Sequence, residues 1–320
     1  MSHAKIVNGV INRFMRRLIV KHWLRVGYAT SFAVYFLSLL LTVIDRSFSL
    51  RWAVLSLHLS AVVLAASLYF VSRFHPRPLR ALFQKKEIIP FVTVLVITLI
   101  LNFSYIKDLS FVSLGDEVRD GGLYAAQILG GSIKQLYAYG RYEAHGLIIP
   151  ILVTPFYYLF GPNVYSFRVP AALLASFDVL FVYLILRLLT NRISAVVGAL
   201  VLASLPLHLF FARSQVVIAF SMFWTSALLL YLIKFFKKRT LGEYVMLGLA
   251  LGFISSFHVS VRVVVCCIFA YVCMIDILNR FSKKRISVPI LYRYGVLIAY
   301  FLVGFGPQVF ITSFNLFLHT

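Results

Sequence analysis

Long apolar blocks separated by short clusters of Lys and Arg make up most of this chain. A helix needs about 20 mostly apolar residues to cross the hydrocarbon of a bilayer, and about 17–25 is the working range. Blocks that meet or approach that length are Ala29–Ile44, Trp52–Val71, Ile88–Tyr105, Val169–Leu189, Ile193–Ala212, Val216–Phe236, Tyr244–Phe257, Val259–Ile277 and Val288–Ile311. None shows the apolar–polar alternation of a membrane β-barrel strand, and backbone polar groups in lipid must be satisfied within the segment, so these blocks are helices. A further apolar segment, Leu147–Phe160, is shorter and carries Pro150 and Pro155. Its length is that of an interfacial or re-entrant element. The expected fold is all-α: a polytopic transmembrane bundle of about 9–10 helices, with interfacial helices in its first large outer loop. The pattern divides into N-terminal helices over 1–105, a polar loop with the short apolar segment over 106–165, and a helical bundle over 166–320.

Composition agrees. The chain is 61% hydrophobic and 13% charged, with a mean hydropathy of +0.92, where soluble domains carry about 25% charged residues. This is an integral membrane protein. A net charge of +21 invites a nucleic-acid reading, but the basic residues fall between apolar runs, as the positive-inside rule requires. No nucleic-acid partner is expected. Cys266, Cys267 and Cys273 lie within one apolar run without zinc-ligand spacing, and read as packed or lipid-facing residues.

The basic clusters also orient the chain. Lys5, Arg13, Arg16, Arg17, Lys21 and Arg25 precede the first span, which reads as a retained helix with a cytoplasmic N-terminus. Arg73, Arg77, Arg80, Lys85 and Lys86 follow two spans later, again inside. The third span then delivers the polar loop to the outer face. If Leu147–Phe160 does not cross, Lys237, Lys238, Arg239, Arg280, Lys283, Lys284 and Arg285 all fall inside. Arg168, Arg213, His258 and Arg262 then gather outside with the polar loop.

That loop holds the candidate chemistry. Residues Ile106–Gly146 contain five of the ten acidic residues of the chain, Asp108, Asp116, Glu117, Asp120 and Glu143. Adjacent carboxylates such as Asp116-Glu117 can hold a divalent cation, and one of them can take a proton from an acceptor hydroxyl. The competing reading is a solvated loop in which Asp116 caps a helix. Asp120-Gly121-Gly122 has the composition of a turn. Glu143 stands at the lipid–water boundary, where it can face Asp116 or pair with Arg141. Arg168, Arg213 and Arg262 suit bidentate binding of a phosphate, although snorkelling to headgroups places Arg at the same depth. His258 and His145 carry ligand chemistry, with a structural hydrogen bond as the commoner role. Asp178 lies in mid-span and calls for a cationic partner such as Arg or Lys.

Taken together, the order of these residues resembles the C-type glycosyltransferases that use polyprenyl-phosphate sugars, a superfamily that includes dolichyl-phosphate-mannose protein mannosyltransferases and lipid A aminoarabinose transferases. The similar elements are Asp116-Glu117 after an early span, Glu143 ahead of an apolar segment ending in Phe160-Gly161, and Phe167-Arg168 before a small-residue helix. Phe210-Phe211-Ala212-Arg213 and the stretch from Gly252-Phe253 through His258 to Arg262 continue the pattern. Two departures stand out: Ala144-His145-Gly146 replaces the usual Lys-Pro after the loop acid, and Gln215-Val216-Val217 occupies the place of a later acid.

The resemblance implies a membrane-embedded, inverting glycosyltransferase. It would move a hexosyl or pentosyl group from a polyprenyl-phosphate donor to a lipid, glycan or protein hydroxyl at the outer face, with a bacterial plasma membrane as the default setting. Asp116, Glu117 and Glu143 would be its catalytic carboxylates, and Arg168, Arg213, Arg262 and His258 its phosphate-binding residues. No cofactor is assigned beyond the divalent cation that the carboxylate pair can hold, and no metal ligand is named. A non-catalytic transporter of lipid-linked glycans, or a degenerate binding subunit, is the alternative class. A transporter should show inverted repeats or broken helices in both halves.

Overall fold

The computed structural model describes residues 3–44, 50–73, 85–107, 121–132, 148–214, 216–237, 239–255, 259–281 and 290–306. All regular elements among them are helices. The chain forms two compact units, Met1–His75 and Pro76–Thr320.

The first unit is a hairpin of α1 (His3–Ile44) and α2 (Arg51–Arg73). Ser31 donates to the Ala61 carbonyl at 2.9 Å, and the Tyr35 ring meets His58 edge-on at 5.7 Å. Gly27 lies where an added Cβ would stand 2.7 Å from Leu68. Rising numbers on α1 thus meet falling numbers on α2, so the pair is antiparallel. The helix begins well before the expected start at Ala29, because Lys and Arg are good helix formers that a hydropathy pattern does not register. The stretch His22–Leu41 is long and apolar enough to cross a membrane.

The second unit contains α3 (Lys85–Phe103), α4 (Leu123–Leu129), α5 (Ile148–Phe160), α6 (Val164–Leu189), α7 (Arg192–Ser204), α8 (Pro206–Ser214), α9 (Val216–Phe235), α10 (Leu241–Ser255), α11 (Val259–Phe281) and α12 (Ile290–Phe305). Its two ends can be followed through the contacts. Glu87 in the first turn of α3 binds Arg187 at the end of α6 and Arg192 at the start of α7, at 3.0 and 2.9 Å. At the other end of α3, Asn102 donates to Ser176 at 3.0 Å, and the Ile106 carbonyl accepts from Arg168 at 2.9 Å. Thus α3 and α6 are antiparallel, and the chain leaves α3 and enters α6 at one end, here termed the Arg168 end. The opposite end is the Glu87 end.

The short apolar segment lies between these two contacts. Because residues 106 and 168 meet, the chain between them returns to the end from which it left. The 13 residues of α5 reach about 20 Å, against the roughly 30 Å of hydrocarbon.

The expected single span Ile193–Ala212 is instead two helices, α7 and α8, bent by 62°. Pro206 has no amide hydrogen to donate, and the residue before a proline is pushed out of the helical region. Leu205 accordingly adopts φ −61°, ψ 128°. The broken pair still runs from one end to the other, from Arg192 beside Glu87 to Arg213, whose guanidinium binds the Leu101 carbonyl. Alanines 195, 199 and 203 of α7, fully buried, let it lie close to α3 and α6.

Three helices complete the bundle beyond α9. Tyr244 of α10 meets Arg293 of α12, and an added Cβ on Gly248 would touch Leu297. Both numbers rise together, so α10 and α12 are parallel. The intervening α11 is antiparallel to both: its Asp276 meets Tyr244 and Tyr294, while its Arg262 meets Ser255 and Phe305. Among the described residues, Arg187, Arg192, Lys237 and Arg239 therefore lie at the Glu87 end, where the sequence pattern groups them. Among the described residues, four helical stretches are long and apolar enough to cross a membrane, His22–Leu41, Val164–Leu189, Val216–Phe235 and Val261–Leu278, or five with the bent pair.

Candidate functional site at the Arg168 end

The last turn of α3 is the root of the acidic loop, and two arginines hold it. Helix C-terminal carbonyls lack intrahelical donors and carry partial negative charge, which makes them natural acceptors for cations. Arg213, in the last turn of α8, donates from Nε and Nη2 to the Leu101 carbonyl at 3.1 and 2.5 Å. Arg168, in the second turn of α6 and 1% exposed, donates from Nη1 to the Ile106 carbonyl. Tyr105 between them takes φ 58°. A non-glycine residue rarely enters this left-handed region. Here it reverses the chain out of the helix. Lys107 then lies over the Tyr165 ring at 5.1 Å.

The far side of the loop comes back to the same place. An added Cβ at Gly121 would stand 3.0 Å from Ile149 and 3.2 Å from Phe167, and one at Gly122 would stand 2.8 Å from the Tyr157 hydroxyl. Any side chain at these two positions would press on Ile149, Phe167 or Tyr157. The pair Gly121-Gly122, expected as a turn, instead leads directly into α4, packed on α5 and the start of α6. Asn163 caps α6 by accepting from the Ser166 amide at 2.9 Å, which fixes the first turn that presents Phe167 and Arg168. Residues 106–107 and 121–122, which flank the segment 108–120, are thus both bound to Tyr165, Phe167 or Arg168.

Of the site residues expected from sequence, Asp116, Glu117, Glu143 and His258 lie outside the described residues, as do Asp108, Asp120, Arg141 and His145. Arg168 and Arg213 come together on the end of α3. Arg262 stands at the same end on another group of helices, donating to the Ser255 carbonyl at 3.2 Å with its guanidinium 5.8 Å from the Phe305 ring centre. Among the described residues no group of three His, Cys, Asp or Glu side chains converges as a metal site.

A family model described as dolichyl-phosphate-mannose-protein mannosyltransferase matches residues 144–307, just over half of the chain. The chain belongs to this family. It is a membrane glycosyltransferase of the mannosyltransferase type. The match takes in Arg168, Arg213, His258 and Arg262. It begins after Glu143, so Asp116, Glu117 and Glu143 precede it. No curated protein and no solved structure matches the chain.

The four described carboxylates all have structural neighbours. Asp178, in mid-span, does not meet an Arg or Lys. Its Oδ2 lies 3.4 Å from His208 Nε2, brought there by the turn at Pro206, without the geometry of a hydrogen bond. Glu87 binds Arg187 and Arg192, and these hydrogen bonds hold its pKa down at about 2. Glu243 accepts from the Tyr231 hydroxyl. Asp276, fully buried, binds Arg239 and accepts from the Tyr244 and Tyr294 hydroxyls at 2.9 Å. Sequence reasoning missed this last cluster. Its signal was an acid near the end of an apolar block, with tyrosines and arginines near the starts of two others.

Proposed function

We propose that this mannosyltransferase-family protein moves a sugar from a polyprenyl-phosphate carrier onto a hydroxyl of a lipid, glycan or protein, with Asp116 as the general base. The observation that carries this reading is the docking of both flanks of segment 108–120 onto the start of α6, beside Arg168. Covalent geometry limits Asp116, five residues before Gly121, to about 18 Å from it at full extension. The carboxylates Glu87, Glu243 and Asp276 are bound to cations or tyrosines at the opposite end, which supports the loop acids as the reacting ones.

In this mechanism Asp116 takes the proton of the acceptor hydroxyl. The freed oxygen attacks the anomeric carbon opposite the carrier, giving inversion. The bond from that carbon to the phosphate oxygen breaks, and the electron pair leaves with the polyprenyl phosphate. Glu117 and Glu143 assist Asp116. Arg262, His258 and the unbound edges of Arg213 stabilise charge on the departing phosphate, while Arg168 and Arg213 anchor the loop that carries the base. A divalent cation on Asp116-Glu117 would add to that charge stabilisation. By the positive-inside rule the Glu87 end faces the cytoplasm, so transfer takes place at the outer face.

The test is transfer of radiolabelled sugar from a panel of polyprenyl-phosphate sugars in membranes containing wild type or Asp116→Asn. Loss of transfer in a variant that still folds and inserts supports the assignment. Unchanged transfer removes Asp116 from the role, and no transfer by wild type overturns the donor class.

A further inference from the structure

One buried ionisable pair takes no part in the transfer chemistry. Asp178, in the middle of α6, and His208, in the first turn of α8, are 3% and 4% exposed. Asp178 Oδ2 lies 3.4 Å from His208 Nε2. Asp178 Oδ1 and both ring nitrogens of His208 have no hydrogen-bond partner among the described residues, so each side chain has the other as its charged neighbour. A carboxyl group and an imidazole that share one proton are neutral together, whereas either one alone is costly to bury in lipid. Two apolar side chains of similar volume would fill the same space without that cost. What a buried polar pair adds over them is the choice of one arrangement of the helices that carry it.

The arrangement at stake is the direction of α8. Pro206 lacks an amide and Leu205 is extended, so α7 does not dictate where α8 points. Side chains have to aim it. His208 and Ala212, four residues apart, share the buried face of α8, while Leu207 and Phe210 are exposed. His208 sets the start of that face against α6. At the other end of the same nine-residue helix, Arg213 donates to the Leu101 carbonyl. Five residues separate His208 from Arg213, about 7.5 Å along the axis, so a tilt of about 10° at the start of α8 moves Arg213 by about 1.3 Å. Directed away from α3, that shift carries bonds of 3.1 and 2.5 Å beyond hydrogen-bonding range.

We infer that the Asp178–His208 pair is a positioning element for transfer: it sets the tilt of α8 and, through α8, the place of Arg213 on the end of α3. Neither side chain is placed against substrate. Asp178 thereby joins Arg168, ten residues earlier on α6, in holding the root of the acidic loop. The inference rests on the reading that Arg213 belongs to the transfer site.

The full chain is purified in detergent, and sugar transfer is measured beside thermal unfolding and amide hydrogen exchange over α8 and residues 101–107. Asp178→Leu combined with His208→Leu removes the polar link and keeps the space filled. This double variant is expected to unfold no more easily than wild type and to exchange faster at residues 101–107. Arg213 acts on charge that grows on the departing phosphate, so the loss should be at least about tenfold in kcat with KM little changed. A pair with a structural role alone would leave kcat and exchange unmoved once stability is kept. His208→Gln, whose amide nitrogen reaches the place of Nε2, should hold kcat near wild type, and His208→Asn, one methylene shorter, should lower it. Loss of transfer in Arg213→Lys with unchanged kcat in the folded leucine pair overturns the inference and leaves the reading of the site standing. Unchanged transfer in Arg213→Lys overturns that reading instead. Exchange, which needs no donor, then decides the link by itself: faster exchange at residues 101–107 upholds it and unchanged exchange overturns it. Should the leucine pair fail to fold, equal kcat in His208→Gln and His208→Asn overturns the inference.

Discussion

Gly248→Ala gives the sharpest test of how the last three helices pack. An added Cβ at Gly248 would lie 2.5 Å from the Leu297 carbonyl oxygen, 2.9 Å from Tyr300 Cβ and 3.0 Å from the Phe301 amide nitrogen. Two of these neighbours are backbone and cannot swing aside. Relaxing the carbon–oxygen contact to about 3.3 Å requires α10 and α12 to part by about 0.8 Å. A gap of about 0.5–1 Å forfeits a quarter to a half of each dispersion contact across the interface. The Tyr244–Arg293 bond, one turn away and already 3.3 Å long, is stretched further. Overpacking of this kind costs about 1–3 kcal/mol.

Helix propensity opposes this, since Ala is favoured over Gly by about 1 kcal/mol in a helix interior. The control is Gly295→Ala on the partner helix α12, where an added Cβ meets nothing within 4 Å. Both variants share the propensity gain, so the difference between them isolates the steric cost. Thermal unfolding in one detergent, read by size-exclusion of the soluble fraction, should rank Gly295→Ala at or above wild type and Gly248→Ala about 1–3 kcal/mol below Gly295→Ala. Equal stability of the two alanine variants would refute the parallel, close-packed pairing of α10 and α12.

Further outcomes follow from the polar contacts. Glu87 has a pKa lowered from 4.5 to about 2 by Arg187 and Arg192, so its contribution is full above about pH 4.5 and fades as pH falls towards 2. Unfolding midpoints should drop over that window in wild type, with a shallower fall in Glu87→Gln. Asp276→Asn leaves Arg239 without its counter-ion, and removal of one partner of a buried pair costs about 3–5 kcal/mol; a folded yield near wild type would contradict this. Arg213→Lys keeps the charge but loses the fork on Leu101. Transfer should fall in this variant more than thermal stability does, and a parallel fall in both would assign Arg213 a structural role alone.

Several features were already legible in the amino-acid order. Apolar block length set the helices, because lipid leaves the backbone no other means of satisfying its hydrogen bonds. The spacing of Lys and Arg predicted which interhelical segments share an end, and the helix contacts agree for residues 85–86, 187–192, 237 and 239. The short apolar run with Pro150 and Pro155 forms a helix of only 13 residues. Even the break at Leu205-Pro206 was written locally, since a proline withdraws its own amide and constrains its predecessor; apolarity across Ile193–Ala212 masked it.

Tertiary structure decided what depends on residues far apart in the chain. The sequence named Arg168 and Arg213 as phosphate ligands, and folding brings both to carbonyls at the end of α3, where they also hold the root of the acidic loop. It called for an Arg or Lys opposite Asp178, and the bend at Pro206 supplies His208. The Asp276 cluster joins residues 32, 37 and 18 positions apart. Hydropathy reports how much each segment prefers lipid, and that preference is nearly the same for every face of an all-apolar helix. Which faces meet is chosen by small residues that admit a neighbouring backbone and by buried polar groups that need a partner, and those choices exist only once the helices are assembled.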